Sequence, residues 1–127
     1  MDVAERFRGL ADPTRLRLMN LLADGELCGC DIQYVLGLSQ PNVSRHLNYL
    51  KRSGLVRDTR RGFRVFYAAE PAHEPLLAYL RAALRREPQF RLDRQRLKAA
   101  VRNGACTVSA APPKARAGVQ TTKGSPS

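Results

Sequence analysis

The 127-residue sequence lacks the features that would place it in a membrane, outside the cell or in a disulfide scaffold. No apolar run approaches the ~20 residues that a membrane-spanning helix requires, which excludes a transmembrane protein. The first residues contain no apolar signal segment, so secretion is not expected and a cytoplasmic location is predicted. Three cysteines are too few for a disulfide framework, and in the cytosol we expect them to be reduced.

Acidic residues are absent from the C-terminal part of the chain. All 11 of them lie at or before Asp93, and seven basic residues follow it. The net charge of +11 therefore divides into +7 after Asp93 and +4 before it, where 15 bases face 11 acids. So much positive charge predicts a polyanionic partner, either nucleic acid or an anionic membrane surface.

Composition predicts three segments along the chain. Residues 1–92 carry apolar side chains at helical and strand spacing, and we expect them to fold as one domain. Residues 93–106 are expected to form a basic helical extension that ends in Cys106. Residues 107–127 consist largely of Thr, Ser, Ala, Pro, Lys, Gly and Gln, which cannot bury a core, and are predicted to be a disordered basic tail.

Capping signals and apolar spacing predict a mainly α domain with one small β-hairpin. Asp12 before Pro13 and Ser39 before Pro41 mark helix starts, because the side chain caps free N–H groups and proline fits the first turn. Arg61-Gly62 suits the hairpin turn. The order is typical of a winged helix–turn–helix. The predicted elements are helices over 3–10, 13–23, 26–36 and 40–52, strands over 55–60 and 64–69, and helices over 71–84 and 92–102.

Two clusters of side chains suit contact with DNA. The second helix of the helix–turn–helix is expected to lie in the major groove with its first turns facing the bases. The hairpin is expected to bring a basic wing to phosphates or to the minor groove. His46 fits a base contact and a capping or phosphate contact equally well. The predicted DNA-contacting residues are Ser39, Gln40, Asn42, Ser44, Arg45 and His46 on the helix, and Arg60, Arg61 and Arg64 on the wing.

Four strings of residues together resemble the ArsR/SmtB metalloregulatory repressors. The resemblance covers roughly residues 3–86, and the Glu-Leu-Cys-x-Cys-Asp string resembles the arsenic-sensing branch. It implies a homodimeric winged-helix repressor that needs no cofactor to bind double-stranded operator DNA and leaves it when As(III) or Sb(III) binds cysteine thiolates. The strings are Ala-Asp-Pro-Thr-Arg-Leu-Arg-Leu at 11–18, Glu-Leu-Cys-Gly-Cys-Asp-Ile at 26–32, Leu-Ser-Gln-Pro-Asn-Val-Ser-Arg-His-Leu at 38–47, and Leu-Lys-Arg-Ser-Gly-Leu-Val at 50–56.

Cys28 and Cys30 are the predicted metalloid ligands, because As(III) is soft and favours thiolates, and helix N-termini lower thiol pKa values. Residues i and i+2 of a regular helix point to different sides, so we expect that one ion can bind both cysteines only if the turn that carries them opens. Such an opening would tilt the second helix of the helix–turn–helix, called the reading helix below. The branch typified by Cys-x-Cys-x-x-Cys has a third cysteine where this sequence has Gln33. Either an outside ligand completes the site or Cys106 does.

Other functions fit the sequence less well. Two alternatives share the same fold but respond to a different signal. One is a thiol-redox-responsive repressor, and the other is a repressor that responds to another soft metal ion. Zinc at the last helix is not expected, because no second histidine follows His73 and Glu74. An enzyme is not expected, since the cysteines lie outside a βαβ pattern and no paired-carboxylate or Ser–His–Asp site stands out. Non-specific binding through the basic tail would be lost on deletion of residues 107–127.

An apolar stripe beyond the needs of a small core predicts a subunit interface. It lies on the helix after the wing and pairs with the first helix, and the family resemblance implies the same dimer. A two-fold dimer predicts an inverted-repeat operator with half-sites about one DNA turn apart. The predicted interface residues are Val3, Phe7, Leu76, Leu77, Leu80 and Leu84.

Overall fold

The computed structural model describes residues 3–102 as six α-helices and three strands, with two short 3₁₀ helices at 22–24 and 71–73. In this part of the chain no helix is long and apolar enough to span a bilayer. The strands form one antiparallel sheet in the order β1-β3-β2. The elements are α1 Val3–Leu10, α2 Pro13–Leu21, β1 Leu27–Cys28, α3 Gly29–Leu36, α4 Gln40–Arg52, β2 Val56–Arg61, β3 Arg64–Ala69, α5 Glu74–Leu84 and α6 Pro88–Arg102.

The predicted helix starts and the winged helix–turn–helix fold are confirmed. The Asp12 carboxylate accepts from the Arg15 backbone N–H at 3.0 Å and caps α2. The Ser39 hydroxyl accepts from the Asn42 N–H at 3.3 Å and caps α4. In both helices a proline occupies the first turn, where its missing N–H has no intrahelical partner to lose.

The prediction of one helix over 26–36 was wrong at its start. Leu27 and Cys28 form β1, which pairs with Tyr67 and Phe66 of β3. The wing sheet offers this segment backbone hydrogen bonds between elements distant in sequence, and helical periodicity cannot reveal them. Cys28 is consequently the extended N-cap residue of α3, with φ −76° and ψ 148°.

Smaller differences concern the wing turn and the last helix. Arg61 pairs with Arg64, so Gly62 and Phe63 form the turn, where the sequence predicted Arg61 and Gly62. The last helix begins at Pro88, four residues before the predicted start. The predicted segment boundary after residue 92 falls inside this helix, and the division of the chain there stays a prediction.

The core lies between α2, α3, α4 and the base of the wing. Its fully enclosed side chains include Leu18, Ile32, Leu47, Leu50 and Leu55. At one edge α1 approaches the end of α4 so closely that a Cβ on residue 9 would lie 2.8 Å from the Ser53 hydroxyl oxygen. Glycine at position 9 therefore sets the separation of α1 from the reading helix.

Helix α6 packs against α2 and α3 and is held by polar contacts as well as apolar ones. Arg17 donates two hydrogen bonds to Asp93, at 2.8 and 3.0 Å, and the Asp93 side chain is completely buried. Asn20 donates to the Phe90 carbonyl at 3.0 Å. Hydrogen bonding to Asp93 raises the pKa of Arg17, so the Arg17 guanidinium stays charged throughout the neutral range.

Candidate nucleic-acid interface and cysteine pair

The first turns of α4 present a polar surface whose side chains are fixed by one another. Gln40 donates to the Ser44 hydroxyl at 2.7 Å, and Arg45 donates to the Asn42 side-chain oxygen at 2.6 Å. Ser39 uses its hydroxyl to cap the helix. Gln40 and Arg45 are exposed, so this surface carries ordered donors and acceptors suited to base edges and phosphates.

His46 lies on the inner side of the reading helix. Its Nδ1 is 3.4 Å from Arg15 Nη1 and 3.9 Å from the Asp12 carboxylate, and its side chain is 15% exposed. Burial lowers the pKa of His46 despite the opposing effect of Asp12, and Arg15 and Arg45 add to the lowering. This placement favours the capping or phosphate alternative over base reading.

The pKa shift of His46 predicts a loss of stability on acidification. The unfolded chain takes up this proton near pH 6.5 and the folded protein at a lower pH, so stability falls as pH drops from about 6.5 through the folded pKa. His46→Gln should reduce the difference in unfolding free energy between pH 7.5 and pH 5.5, measured by urea denaturation. The same substitution at His73 serves as the control, and an unchanged difference in the His46 variant would contradict the assignment.

Arg15 is a structural hub that sequence reasoning missed. Its guanidinium donates to the Gly9 carbonyl at 2.7 Å and to the Arg8 carbonyl at 3.2 Å, and it stacks 4.0 Å from the centre of the Tyr49 ring. It thereby joins the end of α1 to α2 and α4. The only sequence signal for Arg15 is its position in the Asp-Pro-Thr-Arg string, because helical periodicity does not predict its contacts with α1 and α4.

The predicted wing arginines differ in their surroundings. Arg61 is paired with both oxygens of Glu26, at 2.7 and 3.0 Å, and lies over the Phe66 ring. The positive charge of Arg61 is therefore largely offset by Glu26 within the protein. Arg60 is exposed on β2, and Arg64 is half-buried beside the turn. These two placements suit contact with a phosphate backbone better than that of Arg61.

The structure brings Cys28 and Cys30 together. Their sulfur atoms lie 3.7 Å apart, with Cys28 buried at the end of β1 and Cys30 half-buried in the first turn of α3. The expectation that the two side chains diverge was wrong, because Cys28 is extended and only Cys30 is helical. Two sulfur atoms bound to one ion at about 2.3 Å lie roughly this far apart, so the separation is compatible with a shared ligand once Cys30, which is disulfide-bonded in this structure, is reduced.

The cysteine pair lies in the same groove as the polar surface on the first turns of α4, which is called the reading surface below. The groove encloses about 440 Å³ between the start of α3, the first half of α4 and the wing. An ion at the sulfur atoms would therefore adjoin the elements that are predicted to face DNA. The groove is lined by Cys28, Gly29, Cys30, Gln40, Val43, Ser44, Leu47, Phe63, Arg64, Val65 and Tyr67.

Two other predicted sites are less complete. Cys106 lies outside the described residues, as does the predicted tail. Within residues 3–102, no group of three His, Cys, Asp or Glu side chains is arranged to hold a metal ion. A third ligand for an ion at the cysteine pair would therefore come from outside these residues, either from protein or from solution.

The six predicted interface residues divide between surface and core. Val3 and Phe7 are more than half exposed, whereas Leu77 and Leu84 are each 6% exposed and are buried within this chain. Leu76 and Leu80 are half-buried against the core. Tyr79, which the sequence did not indicate, is 68% exposed on the same helix. The assignment of an interface stays a prediction, with Val3, Phe7 and Tyr79 its most accessible members.

Fold and site together define a winged helix–turn–helix DNA-binding regulator. Residues 12–58 match the family described as "Bacterial regulatory protein, arsR family". The arsenical resistance operon repressor of Escherichia coli is 42% identical over 98 residues, which cover 76% of this chain and 80% of that protein. The chain belongs to the ArsR family, and it is a DNA-binding transcriptional regulator and not an enzyme.

Two further comparisons agree with this assignment. The arsenic resistance transcriptional regulator ArsR1 of Pseudomonas putida is 47% identical over 66 residues, 51% of this chain and about half (52%) of that protein's length. A homodimeric winged helix–turn–helix domain from Mycobacterium bovis, a possible ArsR-family regulator, superposes with a TM-score of 0.60 and 32% identity. That match covers 64% of this chain and 76% of the other.

Proposed function

We propose that this protein is a transcriptional repressor that leaves its operator when As(III) or Sb(III) binds the thiolates of Cys28 and Cys30. The observation that carries the proposal is the 3.7 Å separation of the two sulfur atoms inside the groove shared by α4 and the wing. Soft trivalent metalloids favour thiolate ligands. The names of the Escherichia coli and Pseudomonas putida relatives, both concerned with arsenic resistance, favour this inducer.

Cys106 is the proposed third ligand. Helix α6 packs against α3, the helix that carries Cys30, and it ends at Arg102. Cys106 follows four residues later in the sequence, and four residues span at most about 14 Å. The packing of α6 against α3 supports a site completed within one chain.

The contacts of the cysteine pair suggest how release would occur. Cys28 pairs with Phe66 of β3, so a ligand bound to Cys28 and Cys30 is coupled directly to the wing strand. It also acts on the start of α3, whose end leads into the reading helix. For release, the metalloid must bind more tightly to the arrangement that fits DNA poorly, because only differential affinity shifts an equilibrium.

The proposed assembly is a homodimer on an inverted-repeat operator. The Mycobacterium bovis domain is homodimeric, and Val3, Phe7 and Tyr79 leave apolar surface exposed on α1 and α5. A DNA-binding regulator acts where the chromosome lies, which keeps the cytoplasm as its proposed location. The residues proposed to contact DNA are Ser39, Gln40, Asn42, Ser44, Arg45, His46, Arg60, Arg61 and Arg64.

Titration of a preformed protein–operator complex tests the inducer. The operator is first selected from random duplexes by the full-length protein, and a non-thiol reductant is used because thiols would chelate arsenite. We expect arsenite to release the DNA, measured by fluorescence anisotropy, at concentrations near that of the protein. A complex that survives saturating arsenite would contradict the proposal. Release by peroxide alone would favour the redox alternative, and release by Cd(II) alone would favour another soft ion.

A further inference from the structure

Phe63 is an apolar side chain that the fold leaves in solvent. It is 89% exposed, the highest value among the large apolar side chains of residues 3–102. It occupies the tip of the wing, in the two-residue turn between β2 and β3. Gly62 adopts a φ of 66°, which lets the turn close tightly and projects its second residue outward. Phe63 therefore contributes little to the core, and its ring is accessible to a partner.

The surroundings of Phe63 are basic. Arg60, Arg61 and Arg64 lie within three residues of it, and the tip itself has no acidic residue. Two carboxylates that contact or belong to the wing are already paired, Asp58 with Lys51 at 2.9 Å and Glu26 with Arg61 at 2.7 Å. The wing tip therefore presents an aromatic ring within a positive field, which suits a polyanion with apolar surface between its charges.

Phe63 also lies on the same side of the molecule as the reading surface of α4. It shares the groove with Gln40 and Ser44, which belong to the first turns of that helix. A helix and a wing tip on either side of one groove can straddle one strand of a duplex. With α4 in the major groove, the tip reaches the adjacent minor groove.

We propose that Phe63 is a wedge that the wing inserts between two stacked base pairs in the minor groove of the operator. Apolar side chains used in this way partly unstack a base step and kink the duplex, and the bend brings more DNA against the protein. Arg60 and Arg64 neutralise the flanking phosphates while the ring enters. The step chosen would be a flexible pyrimidine–purine step, because it costs least to unstack.

The experiment compares the full-length wild type with Phe63→Ala, Phe63→Leu and Phe63→Arg on the selected operator. Affinity is measured by anisotropy, bending by energy transfer between the duplex ends, and unstacking by 2-aminopurine placed at successive positions facing the wing. We expect Phe63→Ala to bind about tenfold more weakly and to lose both the bend and the 2-aminopurine signal. Phe63→Leu should keep most of all three.

The Arg variant separates a wedge from a simple charged contact. Phe63→Arg adds a phosphate-binding charge and removes the apolar ring, so it should bind without bending or unstacking. Since residue 63 is exposed, all variants should unfold at the wild-type temperature. Wild-type binding without a 2-aminopurine signal, or wild-type affinity and bending in Phe63→Ala, would overturn the proposal. Neither result bears on whether arsenite releases the DNA.

Discussion

Replacing Cys28 and Cys30 together by serine should leave operator affinity unchanged and abolish release by arsenite. Serine keeps the size of the side chain but removes the soft sulfur that a metalloid requires. Neither cysteine is among the residues proposed to contact DNA, and Cys28 is only 4% exposed, so the substitution should remove no DNA contact. We expect the variant to stay bound at about a hundredfold more arsenite than releases the wild type, the size of a strong allosteric coupling.

Two controls make this result interpretable. Cys28 is 4% exposed, so a Cys28→Ala/Cys30→Ala variant, together with thermal unfolding of both, separates loss of sensing from loss of folding. Cys106→Ser tests the third ligand by X-ray absorption, where the arsenic should have three sulfur neighbours in the wild type and two in the variant. Release of DNA by arsenite from the double serine variant would end the proposal.

Removing the carboxylate of Asp93 should lower the free energy of unfolding more than any other single substitution proposed for this protein. Asp93→Ala leaves the Arg17 guanidinium, whose side chain is only 20% exposed, without its buried partner. Breaking a buried pair from one side typically costs about 3–5 kcal/mol, against a total of roughly 5–15 kcal/mol for a small domain. Urea denaturation monitored by circular dichroism measures the difference.

The pair offers both a matched control and a pH test. Asp24, partner of Arg94 in the same helix contact, is 59% exposed, so Asp24→Asn should cost no more than about 1 kcal/mol. Arg17→Met combined with Asp93→Leu should recover most of the loss, because no buried charge remains. The raised pKa of Arg17 keeps its contribution intact below that pKa, so the cost should be equal at pH 7 and pH 9. Equal costs for Asp93→Ala and Asp24→Asn would refute the buried-pair assignment.

Local signals explain which parts of the fold were predictable. The Asp12 and Ser39 caps each act on an N–H group three residues away, so the starts of α2 and α4 could be read from short strings. The apolar stripe of α4, with Val43, Leu47 and Leu50 buried, follows helical spacing. The reading surface could be predicted for the same reason, since it occupies the opposite face of one helix.

Long-range pairing explains what was missed. Strand β1 exists because Leu27 and Cys28 find partners in β3, some 40 residues later. Leu77 and Leu84 repeat at helical spacing whether they face a core or another subunit, and only the packing distinguishes these cases. The ion pairs of Arg61 with Glu26 and of Arg17 with Asp93 likewise join residues far apart in the chain.

The sequence by itself determined the order of the helices, the polar start of the reading helix, the basic wing and the presence of two cysteines around the start of α3. Each depends on residues within a few positions of one another. Tertiary structure decided that the cysteines meet, because pairing with the wing holds Cys28 extended while Cys30 begins a helix. It also placed their sulfur atoms in the groove beside α4, since only packing fixes the separation of elements that the chain connects indirectly.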